Sequence, residues 1–275
     1  MLYASDRRCL DCFTMTVLQA PPELAADRSE DTEIASGHKV SGKERPSREI
    51  LTVLAVIGLL AALNVLAHFT PLSMWFFTVP VGVGLILALG KARGHTWQDI
   101  GISRRTLKKG LKYGGIAAAV VLGAVLAGVL LPITRDFFLN ENYASARTAV
   151  FAALVIIPIQ TVLPEELAFR GILHSSLQKL GGIRAVLIAG SILFGLWHVS
   201  SSLNLTAGNE GLTSMLGSGT LAQWVGVGLA VVATSFAGAA FTWLRLRSES
   251  VLAPIGLHWA LNACGALAAA VVFQM

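Results

Sequence analysis

Apolar positions run through this chain in long unbroken stretches, and charged positions are confined to the gaps between them. No Asp, Glu, Lys or Arg occurs from Ile50 to Gly90, Tyr113 to Thr134, Thr148 to Pro164, Ala185 to Asn209, Gly211 to Leu244 or Ser250 to Met275. A helix needs about 20 apolar residues to cross a bilayer. The first run is therefore long enough for two crossings, with the turn at Thr70-Pro71, because a residue before proline is steered away from helix. The pattern predicts spans over 50–69, 72–90, 113–133, 148–172, 185–202, 221–244 and 251–273. The expected fold is all-α: a polytopic membrane protein of about seven transmembrane helices. Residues 1–48 are polar, mixed in charge and broken by Pro, Ser and Gly, which predicts a disordered tail ahead of a helical domain over 49–275. The Gly- and Ser-rich segment from Gly208 to Thr220 reads as an external loop.

Composition agrees and removes the alternatives. Of 275 residues, 54% are hydrophobic and 13% charged, against about 25% charged in soluble domains, and the mean hydropathy is +0.67. So few charges cannot cover a soluble surface. The net charge of +5 carries no nucleic-acid signal, since the basic residues sit at helix ends rather than in a stripe with aromatics. They fix an orientation instead. With the N-terminus cytoplasmic, the inner segments hold Lys39, Lys43, Arg45, Arg48, Lys91, Arg93, Arg104, Arg105, Lys108, Lys109, Lys112, Lys179, Arg184, Arg245 and Arg247, and the outer loops only Arg135 and Arg147. Fifteen against two is a strong positive-inside signal. The expected location is a cell membrane, crossed several times. Three cysteines make no disulfide framework, and Cys9 and Cys12 form a lone C-x-x-C with no second pair. The apolar run Phe13–Leu18 is too short for a signal peptide and meets Pro21-Pro22.

The informative charges are those a span should not contain. The 148–172 span ends in Leu-Pro-Glu165-Glu166-Leu-Ala-Phe-Arg170. A charge at a helix centre costs about 2.5–3.5 kcal/mol on insertion scales and is normally paired and functional. On an α-helix Arg170 lies about 40° around from Glu166, so these two can pair at i, i+4, whereas Glu165 points about 100° away from Glu166. One carboxylate is then neutralised and the other is free to face a cavity. A helix that ends at Glu165, with all three charges in interfacial water, would explain this segment without any function. Two further spans weigh against that. One carries Phe194 and His198, the other His258 and Asn262 at i, i+4 on one face. A single histidine in a span is more often packed than catalytic, but three polar clusters on three helices point to a shared site. At 1.5 Å per residue, Glu165 lies roughly 10 Å from the cytoplasmic end of its helix, His258 roughly 11 Å, Asn262 roughly 17 Å and His198 roughly 21 Å. All four can meet in one intramembrane cavity in the cytoplasmic half or middle of the bilayer, with access expected from the cytosol.

A carboxylate and an imidazole can hold and deprotonate a water, and a second imidazole with an Asn amide can donate to an oxyanion. The same groups suit a metal: two His and one Glu form a catalytic zinc set, so Glu165, His198 and His258 are also candidate ligands of a Zn2+ cofactor. The chain lacks H-E-x-x-H and G-x-G-D, and Gly217-Ser218-Gly219 does not match a rhomboid nucleophile motif.

The ordered motifs E-E-x-x-x-R, F-x-x-x-H and H-x-x-x-N resemble the CPBP family, the CAAX proteases and bacteriocin-processing enzymes also called Abi, over roughly residues 148–270. That family includes the Ras-converting CAAX prenyl endopeptidase and lysostaphin resistance protein A. The resemblance implies an intramembrane endopeptidase. In it Glu165 activates water with help from His198, Glu166 supports Glu165 and pairs with Arg170, His258 and Asn262 stabilise the oxyanion, and Phe194 packs. It leaves metal-dependent and glutamate-based chemistry both open. The implied partners are the lipid bilayer and a peptide or membrane-protein substrate, with a bacteriocin-type peptide favoured over a prenylated C-a-a-X tail. Two other readings use the same residues: a non-catalytic immunity or scaffold protein, and a proton-coupled transporter. The lack of inverted repeats and the clustering of polar groups in the late helices weigh against a transporter.

Overall fold

A computed structural model describes residues 44–74, 76–203 and 210–275, all of it helix, turn or connection. Five helical stretches are long and apolar enough to cross a membrane: Pro46–Phe69, Trp97–Leu130, Ala146–Trp197, Thr220–Ser248 and Leu252–Val272. A shorter apolar helix spans Thr78–Ala92. The 52-residue stretch Ala146–Trp197 is two arms rather than one rod. The chain leaves helical geometry at Gly181 (φ −139, ψ 16) and Gly182 (φ 63, ψ −156), where it reverses. The seven apolar segments expected from the sequence are thus all helical. We label them α1 (Glu44–Phe69), α2 (Thr78–Ala92), α3 (Leu107–Leu130), α4 (146–180), α5 (183–197), α6 (Thr220–Ser248) and α7 (Leu252–Val272).

Several boundaries differ from those expected. Helix α1 starts at Glu44, so residues 44–48, assigned to the tail, are helical; residues 1–43, with Cys9 and Cys12, lie outside the described residues. Pro71 opens a 3-10 turn to Met74, which delays α2 to Thr78. The expected loop from Gly208 to Thr220 contains a two-turn helix, Glu210–Leu216.

Alternating crossings give the bundle two faces, and side-chain contacts mark each. On the first, Lys109 pairs with Glu249 at 2.7 Å and Lys179 with Glu49 at 3.5 Å, and a capping box joins Thr96 and Asp99 ahead of a one-turn helix closed by left-handed Gly101. We call it the basic face, since the Lys- and Arg-rich segments end there. On the opposite face, Val129 of α3 and Val272 of α7 pack with Phe138 and Leu139 of the α3–α4 connection. Helix α7 is pinned to α4 by Trp259, whose Nε1 donates to the Ala153 carbonyl at 2.9 Å. The end of α5 is tied to α1 by Asn64, whose Nδ2 donates to the Trp197 carbonyl at 2.8 Å.

The α4–α5 reversal depends on Gly182, whose φ and ψ belong to a region that only glycine occupies without strain. Gly182→Ala should destabilise the purified protein by about 1–3 kcal/mol, read as a lower melting temperature in detergent. Gly115→Ala, at a helical position with open space around it, should leave the melting temperature unchanged or slightly raised.

Candidate active site

The site is built on an irregular helix. Within α4, residues Ala152–Val162 and Leu167–Leu173 are π-helical and flank a single α-turn, Leu163–Glu166. Pro158 and Pro164 lie in this region, and neither can donate a backbone hydrogen bond, so the regular ladder cannot run through it. Widened turns of this kind are frequent at functional sites. Here they place two adjacent glutamates in different surroundings.

Glu166 points into the core and is fully buried. Its Oε1 accepts from Arg170 NH1 at 3.1 Å and from His258 Nδ1 at 2.8 Å. Arg170, 2% exposed, also donates from NH2 to the Gly238 carbonyl of α6 at 3.3 Å. Its guanidinium lies 4.0 Å from the Phe194 ring centroid and 4.7 Å from that of Phe241. Phe194 is therefore the packing residue expected, and it touches much of the site: its ring meets those of His198 and His258, while Phe241 stacks on His258 at 4.8 Å.

Glu165 turns the other way, into a cavity. Its Oε1 accepts from Trp197 Nε1 at 3.0 Å. Its Oε2 has no hydrogen-bond partner among the described residues and lies 3.9 Å from both His198 Nε2 and His258 Nε2. The other nitrogen of each ring is committed. His198 Nδ1 lies 2.7 Å from the Phe194 carbonyl, which as an acceptor assigns the proton to Nδ1 and leaves the Nε2 lone pair facing Glu165. His258 Nδ1 is directed at Glu166 in the same way. The cavity, about 330 Å³, is lined by Glu165, Trp197, His198, His258 and Asn262, with His68, Thr78 and Ser201 among the remaining wall residues. All six candidate residues thus meet around one centre: four line the cavity, and Glu166 and Arg170 stand behind them.

Trp197 is the site residue that sequence reasoning missed. It immediately precedes His198, but only the position of α5 beside α4 reveals that its indole reaches Glu165. On the far side of Trp197 an apolar groove of about 370 Å³ lies between α1, α4 and α5, lined by Ile57, Leu60, Asn64, Phe169 and Leu173 among others.

The donor set matches zinc chemistry by type but not by spacing. Two ligands of a tetrahedral zinc, each about 2.0–2.1 Å from the metal, stand about 3.3–3.4 Å apart, whereas both imidazole–carboxylate gaps are 3.9 Å. No group of three or more His, Cys, Asp or Glu among the described residues has metal-site geometry. A gap of 3.9 Å is instead spanned by one water oxygen about 2.8 Å from each atom.

Carboxylates and imidazoles gathered in a buried cavity of a multi-pass helical membrane protein are groups able to hold and deprotonate a water. Residues 147–264, which contain all six candidates, match the family model of the Rce1-like type II CAAX prenyl endopeptidases. The match is to that family's domain and is consistent with the CPBP intramembrane proteases. No curated protein and no solved structure matches the chain.

Breaking a buried ion pair strands a charge and costs about 3–5 kcal/mol. Arg170→Ala and Glu166→Ala should therefore each melt well below wild type in detergent. The Glu166→Leu/Arg170→Met double variant should recover part of that loss, because it buries neither charge. Single variants that melt with wild type would show that the pair does not hold the fold.

Proposed function

We propose that the protein is an intramembrane endopeptidase in which Glu165 activates a water molecule without a metal. The observation that carries this reading is the arrangement around Glu165: one oxygen held by Trp197, the other without a hydrogen bond and equidistant from two imidazole nitrogens. A water held by Glu165 and the Nε2 lone pair of His198 attacks the carbonyl carbon of a peptide bond. Its proton passes to the Glu165 carboxylate as the new C–O bond forms. The oxyanion accepts hydrogen bonds from the Asn262 amide and from His258 Nε2 when both nitrogens of that ring carry protons. Collapse of the tetrahedral intermediate breaks the C–N bond, and the proton held by Glu165 moves to the departing amine. Glu166 and Arg170 act through others: they fix His258 and the helix that carries Glu165. The substrate in this reading is a membrane-associated peptide, and the apolar groove beyond Trp197 suits an attached lipid chain or an apolar flanking segment.

The test is cleavage of fluorogenic peptides, farnesylated and unmodified, by purified protein in liposomes. Glu165→Gln should abolish turnover while the melting temperature holds, and cleavage that survives it overturns the mechanism. Asn262→Ala should lower kcat by about 10²–10³-fold, the usual loss of one oxyanion donor. A chelator should leave the rate unchanged; inhibition reversed by added zinc would replace this mechanism with a metal-dependent one.

Trp197→Phe keeps a ring in place but removes the donor to Glu165. Hydrogen bonds to charged groups contribute about 1.5–3 kcal/mol, so kcat should fall about 10–150-fold with KM little changed. A change confined to KM would make Trp197 a substrate contact instead.

A further inference from the structure

We propose, resting on the protease reading, that Gln160 is a substrate-binding residue whose carboxamide oxygen accepts a backbone N–H of the substrate. The substrates are then peptide segments unwound at the cleavage point, with a free amide N–H about two residues from the scissile bond. Between Thr148 and Glu165 only two side chains carry hydrogen-bonding groups, Gln160 and Thr161, and both line the Glu165 cavity. A carboxamide in an apolar span usually bonds a neighbouring helix. Half of this one does.

Gln160 Nε2 donates to the Phe76 carbonyl, just ahead of α2, at 3.2 Å. A carbonyl only accepts, so this contact fixes which end of the carboxamide is NH2 and which is oxygen. Oε1 is thereby held in a set orientation, with no hydrogen-bond partner among the described residues. Helix winding brings the group to the site. On a regular α-helix, residues five apart point about 140° from one another. Gln160 lies in the π-helical stretch Ala152–Val162, whose turns close over five residues rather than four. That narrows the angle, and Gln160 and Glu165 face one cavity.

A peptide drawn into this cavity brings N–H and C=O groups that must be paired once they leave water. The groups assigned to the reaction donate to the oxyanion (Asn262 and His258) or hold the water (Glu165 and His198). A substrate N–H needs a further acceptor. Thr78 and Ser201 on the same wall donate their hydroxyls to the carbonyls of Leu72 and His198, and His68 is exposed at the end of α1. Gln160 Oε1 is the acceptor held in place from behind. Along the helix, Gln160 and Glu165 are about 7.5 Å apart, which an extended peptide covers in about two residues. A substrate still helical there would have its N–H groups bonded to its own carbonyls and present none.

The experiment uses the fluorogenic peptides, farnesylated and unmodified, in which each amide near the scissile bond on either side is replaced in turn by an ester, the scissile bond itself being left intact. Cleavage is measured in liposomes, and binding to the Glu165→Gln protein by displacement of a fluorescein-labelled parent peptide. One ester, about two residues from the cut, should lower kcat/KM of the wild type about 2–12-fold, the worth of one neutral hydrogen bond. A proline at that residue, which also lacks the N–H, should block cleavage. In Gln160→Met the same ester and its parent amide should be cleaved equally well. A carboxamide that only packs α4 against α2 would slow both substrates alike and keep their ratio, and that result overturns the proposal. So does a wild type indifferent to every ester, a comparison that needs no variant to fold. Loss of the ratio in His68→Phe but not in Gln160→Met overturns it too. The protease reading fails separately: a wild type that cleaves none of the peptides removes it, and the amide-over-ester preference in binding then still decides for or against Gln160.

Discussion

A full charge buried inside a membrane bundle is tolerable only when its partner is fixed beside it, and the Glu166–Arg170 pair meets that condition with little slack. The guanidinium is held by a carboxylate on its own helix, a backbone carbonyl on α6 and two phenylalanine faces. Arginine suits this place better than lysine, because a planar fork can stack on aromatics while donating in several directions. The Gly238 carbonyl comes within reach because α6 has no side chain at that position, where a Cβ would lie 3.2–3.3 Å from Phe194. Four helices are thereby referred to one ion pair: α4 carries it, α5 and α6 cover it, and α7 joins through His258.

The same pair explains why two adjacent, chemically identical carboxylates differ in role. Glu166 is engaged on Oε1 by a guanidinium and an imidazole, and its Oε2, also without a hydrogen-bond partner among the described residues, is closed off from the cavity. Glu165 has one neutral donor, the Trp197 indole, and keeps its second oxygen for the cavity. What separates the two is access: Glu165 lines the cavity and Glu166 does not. The α-turn Leu163–Glu166 sets the angle between the two, and the π-helical stretches on either side let that turn sit where the bundle requires it.

How much of this was legible follows from what kind of constraint each feature obeys. Solvent dictates the apolar runs, so all seven helical segments could be read from the absence of charge. Local geometry dictates the Glu166–Arg170 pairing, which needs only residues four apart. The convergence of His198, His258 and Asn262 on Glu165 came from chemistry that no single helix could satisfy. The rest depends on how helices are placed against one another. Trp197 reaches Glu165 only because α5 ends beside it. The π-helical turns answer to prolines whose effect depends on their neighbours. The short α2 was hidden because Thr70-Pro71 marks where α1 ends but not how far the connection runs before helix resumes at Thr78.

Depth estimates treated each helix as an upright rod, and they still placed Glu165, His198, His258 and Asn262 within reach of one cavity. A polar cavity within a bilayer needs a wall that keeps lipid out and an opening that admits water. The long helices α4 and α7 run past the level of Glu165, while α1, α2 and α5 end beside its cavity. Ending α5 at Trp197 also frees the carbonyls of its last turn from further helical bonding, and two of them are put to use: the Phe194 carbonyl orients His198, and the Trp197 carbonyl ties α5 to α1. A helix carried on to the far face would bring its next turn over the cavity and place new backbone donors against those carbonyls. The orientation of His198 and the tie between α5 and α1 therefore have one cause, the early end of α5.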